Sequence, residues 1–119
     1  MPQLIIGVWA LAAPSSFYET FPFGRAWVSA LGPFDEHLVR DVGALFTALS
    51  VLLLIAAGVL ERRLVQASLV AWLIYAIPHF VWHSTATGDF ELTDNVLQLG
   101  ALGLQLLLPL VLLGWSRRL

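Results

Sequence analysis

His37, Asp41, His79, His83, Asp94 and Gln98 are the side chains of this sequence whose types and spacing could do chemistry. His79-x3-His83 puts two ring nitrogens on one helix face, and His37 with Asp41 repeats the i, i+4 spacing with an imidazole and a carboxylate. Neutral imidazoles and carboxylates suit a divalent transition metal, so His37, Asp41, His79 and His83 form a candidate metal set. Imidazoles on opposed helices suit haem, which His37 with His79 or His83 could supply. All six residues together could line a pocket for a small ligand. A third reading makes them interfacial histidines and an Asp41–His37 pair that brace the helices. The residue types alone leave these three readings open.

Positioning such groups takes a scaffold, and composition says which kind. The chain has 119 residues, of which 59% are hydrophobic and 12% charged. A soluble domain is nearer 45–50% apolar and about 25% charged, so the expectation is an all-α integral membrane protein of one transmembrane domain covering 1–119. Its mean hydropathy of +0.83 agrees. The absence of cysteine excludes disulfides, thiolate nucleophiles and Cys-ligated metals. A net charge of −2 gives no reason to expect nucleic acid. The N-terminus lacks a cationic region and an Ala-x-Ala-like site, so no cleaved signal peptide is expected.

Four spans are expected, at about 2–18, 37–60, 64–83 and 95–115. Roughly 20 apolar residues cross a bilayer core. The apolar run 2–13 covers only about 18 Å as a helix, so the first span is short or truncated and reaches further only through a kink at Pro14. Residues 15–36 form an outer interfacial segment rich in aromatics, in which Arg25 to Leu31 could make a short surface helix. Asp35 reads as the N-cap of the second span.

Arg62, Arg63, Arg117 and Arg118 fall on one side of such a bundle. The positive-inside rule therefore puts both termini in the cytoplasm of a four-helix, multi-pass protein of the bacterial inner membrane. All three histidines then lie at the outer end. Polar and small residues share stripes at helical spacing: His37, Asp41, Ala44, Ala48; His83, His79, Ala76, Trp72, Ser68; and Asp94, Gln98, Ala101, Gln105. Such stripes mark the packed side of a membrane helix. Arg40 is expected to pair with Glu36, and Gln98 and Gln105 to bond between helices.

Ala-Pro-Ser-Ser-Phe-Tyr at 13–18 and Glu-His-Leu-Val-Arg-Asp-Val-Gly-Ala at 36–44, with the four-span plan, resemble the DoxX-like class of small four-helix bacterial membrane proteins. The resemblance implies a four-helix bundle, with some relatives associated with redox-related membrane complexes. No catalytic motif comes with it. The sequence also holds no self-sufficient nucleophile–base pair, so the reading leans away from an enzyme. The expected function is a membrane protein whose outward-facing His/Asp-lined pocket binds a small ligand or a metal ion. The alternative is a non-catalytic accessory or assembly subunit of a larger membrane complex. Expected partners are the lipid bilayer and such a complex or further copies of the chain.

Overall fold

In the computed structural model, which describes residues 2–119, the secondary structure is entirely helical. The chain forms two compact units, Met1–Val51 and Leu52–Leu119, whose boundary falls inside one long helix. The first unit holds α1 (Pro2–Ala12), α2 (Pro14–Thr20), a 3-10 turn (Ser29–Leu31) and the first part of α3 (Glu36–Val59). The second holds the rest of α3, α4 (Arg62–Thr85), α5 (Leu92–Trp115), and 3-10 turns at Thr87–Asp89 and Ser116–Arg118.

Three helices are long and apolar enough to cross a membrane: Glu36–Val59, Arg62–Thr85 and α5 with its terminal turn, Leu92–Arg118. At 24 residues, α3 and α4 are each about 36 Å long, against a hydrocarbon core of about 30 Å. The first apolar stretch is different. Pro14 has no N–H and crowds the residue before it, so Ala13 leaves helical geometry (φ −137°, ψ 67°). Pro14 then occupies the first turn of α2, where its missing donor does no harm. The expected kinked helix over 2–18 is therefore two helices, and α1 has only 11 residues.

In the first unit α1 crosses α3 backbone to backbone. A Cβ built on Gly43 would lie 2.5 Å from the Leu11 nitrogen and 2.8 Å from the Gly7 carbonyl oxygen. One built on Gly7 would lie 2.7 Å from Thr47 Oγ1. Only glycine on both helices permits this approach. Arg40 fastens it: its guanidinium donates to the Leu11 carbonyl at 2.7 Å and to Glu36 at 2.9 Å. A cation thus meets the carbonyl end of α1, where the intrahelical partners run out.

The segment between α1 and α3 is built on ring contacts. Trp9 packs edge-on to Phe17 at 5.7 Å and donates from Nε1 to Ser16 Oγ at 3.1 Å. The Tyr18 hydroxyl bonds the Gly32 carbonyl, and Phe23 is 99% exposed. The helix expected over 25–31 is reduced to the Ser29–Leu31 turn. Gly24 and Ala26 both adopt positive φ, which an α-helix cannot accommodate. The cap expected at Asp35 is present: its Oδ1 accepts the Leu38 N–H at 3.1 Å.

In the second unit Ala56, Val65 and Leu69 form a core, with Leu53, Leu64 and Leu113 packed against it. Leu60 takes the left-handed conformation (φ 54°) that closes α3, its N–H bonding the Ala56 carbonyl at 2.9 Å. Glu61 follows at once as the cap of α4, accepting from the amides of Arg63 (3.0 Å) and Leu64 (2.8 Å). Those two hydrogen bonds hold its carboxyl below the ordinary value of 4.5. A depressed folded-state pKa contributes stability that is complete above the unfolded value and lost as pH falls through the folded one. Thermal stability in detergent should therefore fall on Glu61→Ala at pH 7. The difference from wild type should shrink steadily below pH 4.5.

Candidate functional site at the loop end of the α4–α5 hairpin

α4 and α5 pack antiparallel, and the packed face of α4 is the stripe read from the sequence. Ser68, Trp72 and Ala76 are buried, and His79 and His83 continue the line half-buried. The rings form a ladder: Trp72 to Tyr75 at 5.4 Å, Tyr75 to His79 at 5.1 Å and nearly parallel, His79 to His83 at 4.7 Å. Spacings of three and four residues bring successive rings onto one side of the helix. Trp72 Nε1 donates to the Gln105 carbonyl at 3.1 Å, which fixes the deep end of the ladder.

At its shallow end His83 Nδ1 meets Gln98 Oε1 at 3.1 Å. Gln98 is 4% exposed, and its Nε2 is buried without a hydrogen-bond partner among the described residues. Only one polar atom of the amide can face His83, so turning the amide over leaves the other one orphaned. An unmet buried donor or acceptor costs about 1–3 kcal/mol. Asp94 sits one turn earlier on α5, in its first turn, and is half-buried.

The other two candidates belong to the first unit. His37 Nε2 and Asp41 Oδ2 lie 3.1 Å apart, with side chains 83% and 57% exposed. An exposed pair of this kind contributes little to stability. The stripe expected to pack behind them is corrected by the structure. Ala44 and Ala48 are exposed, and the buried residues of that part of α3 are Gly43, Phe46 and Ser50. Gly43 is the physical reason, because its missing Cβ draws α1 onto that face instead.

The metal expectation needs at least three converging ligands. Among the described residues no group of three or more His, Asp or Glu is placed to hold a metal ion. Within each unit the candidates occur as pairs, His37 with Asp41 and His79 with His83.

No family model, curated protein or solved structure matches the chain.

In either orientation of the Gln98 amide, the His83–Gln98 bond uses one polar atom of each side chain and leaves a donor on one and an acceptor on the other, with the His79 ring 4.7 Å from that of His83. Sequence reasoning anticipated Arg40–Glu36 and the interhelical role of Gln98. It missed Arg40 on the Leu11 carbonyl, the Gly7–Gly43 crossing and the Trp72–Gln105 bond. The last had a signal, since a tryptophan at mid-span needs a partner for its N–H.

Proposed function

We propose that this is a small multi-pass protein of the bacterial inner membrane whose outward-facing His79–His83–Gln98 cluster, with Asp94 at its mouth, binds a small polar ligand. The orphaned amide of Gln98 is the observation that carries this reading. A guest bearing both a hydrogen-bond acceptor and a donor would meet both free positions of the His83–Gln98 pair, once Gln98 turns from its buried rotamer. His37 and Asp41 would be a second, separate polar pair, in a four-helix protein of the DoxX-like kind. His79 and His83 lie on one helix and would give a metal only two ligands and haem no opposed pair, so the metals and haem below serve as probes of the site.

Ligand-dependent melting in detergent tests it. Zinc, copper, iron, haem and a quinone are titrated against wild type and against His79→Gln with Gln98→Met. Wild type should gain about 2.7 kcal/mol at a hundredfold excess over Kd for the right probe. The double variant should keep its fold and lose that gain. A flat response to all five probes favours the second reading, an accessory subunit of a larger, possibly redox, membrane complex. That reading draws on α5, whose apolar window is only 11% buried and leaves much surface for a neighbour to cover.

The orientation rests on Arg62, Arg63, Arg117 and Arg118 at one end of the hairpin. A reporter fused after Leu119 should be active only in the cytoplasm. Periplasmic activity would reverse the topology and turn the cluster inward.

A further inference from the structure

We propose that the arginine end of the α4–α5 hairpin is a binding site for the phosphate headgroup of an acidic phospholipid. Arg62 and Arg63 open α4, and Arg117 and Arg118 lie in the Ser116–Arg118 turn that closes α5 and packs on α4. Gln66 Nε2 donates to Ser116 Oγ at 3.2 Å and ties that turn to the first part of α4. The two arginine pairs, 54 positions apart in sequence, are thereby held at one end of one hairpin.

All four side chains are exposed, and among the described residues none forms an ion pair with a carboxylate. The neighbouring acid, Glu61, has its two oxygens engaged by the Arg63 and Leu64 amides. The site therefore sets four guanidinium groups against one carboxylate, Glu61, which caps the start of α4 and is itself attracted by Arg63. Guanidinium forks match phosphate oxygens two at a time.

The surroundings select a lipid over a free anion. Leu60, Trp115 and Leu119 flank the arginines and are about half or more than a third exposed, giving an apolar rim where acyl chains would lie. Tryptophan beside basic residues is the composition of a membrane–water boundary. Basic pockets between membrane helices bind acidic headgroups, with each arginine near the surface adding to the attraction. Inorganic phosphate would meet the arginines and leave the rim unused. The inference holds whichever way the chain crosses the membrane.

The test follows the melting of the purified full chain in detergent supplemented with phosphatidylglycerol, phosphatidylcholine or sodium phosphate. Phosphatidylglycerol should raise the melting temperature at roughly tenfold or more lower concentration than phosphatidylcholine, and added salt should erode the preference. Arg62→Gln with Arg63→Gln, and Arg117→Gln with Arg118→Gln, should each reduce the preference while leaving melting in phosphatidylcholine unchanged. Equal stabilisation by the two lipids overturns the proposal, as does a matching shift from sodium phosphate. So does an undiminished preference in both paired variants. If a pair fails to fold, the salt dependence of the wild-type preference decides, and a salt-independent preference overturns it.

Discussion

Gly43→Ala is expected to destabilise the protein by about 2–3 kcal/mol, a large effect for one methyl group. The new Cβ would stand 2.5 Å from the Leu11 nitrogen, 2.8 Å from the Gly7 oxygen and 2.9 Å from the Ala10 carbonyl carbon. All three atoms are backbone, so no side chain can swing aside. The crossing of α1 over α3 must open, and the Arg40 bond to the Leu11 carbonyl should be lost with it. Gly58→Ala and Gly114→Ala serve as controls, because an added Cβ at either meets nothing within 4 Å. There the change should be neutral or stabilising by up to about 1 kcal/mol, from helix propensity. Thermal unfolding in one detergent reads all three. A Gly43→Ala protein as stable as these controls would rule out the backbone crossing.

Trp72→Ala should cost about 3 kcal/mol, since it empties a buried site that lipid cannot refill. Trp72 is 3% exposed, and its ring seats Tyr75, which in turn stacks on His79. Trp72→Phe separates the two contributions. It keeps much of the ring while losing the bond to the Gln105 carbonyl and part of the buried indole, and intramembrane hydrogen bonds average about 0.6 kcal/mol. A phenylalanine variant as damaged as the alanine one would mean that the N–H, and not the ring, secures the hairpin.

The sequence was legible where one helix periodicity decided the outcome. The apolar runs from Glu36, Arg62 and Leu92 became the three long helices, and the Ser68–Trp72–Ala76 stripe became the packed face of α4. Local chemistry also read through, as at Asp35 and at Arg40 with Glu36. It failed where a feature depends on a residue far away in the chain. Nothing near Gly43 says that Gly7 will meet it, so Ala44 and Ala48 looked like the natural packed side of α3. The helix expected over 25–31 failed for a different reason, because Ala26 took a left-handed conformation that its identity does not announce. At the candidate site, helical spacing put His83 and Gln98 on facing stripes, and the two meet between α4 and α5. The orphaned Gln98 amide was not legible, because it depends on what fails to reach Nε2 in three dimensions.

The hydroxyls of Thr47, Ser50 and Ser68 each donate to the carbonyl one turn back on their own helix. Turned inward in this way, they contribute no polar grip between neighbours. Along the α4–α5 seam such grip comes instead from side chains at three depths, in Gln66–Ser116, Trp72–Gln105 and His83–Gln98. Between them the buried residues Leu69, Leu73 and Ala76 of α4 carry no polar side chain that would favour one alignment over another. The three bonds therefore act as index pins. A shift of α5 by one helical turn, about 5.4 Å, would break all three together. The hairpin thus has one sharply favoured alignment, and a ligand engaging Gln98 would be acting on one of the three pins that define it.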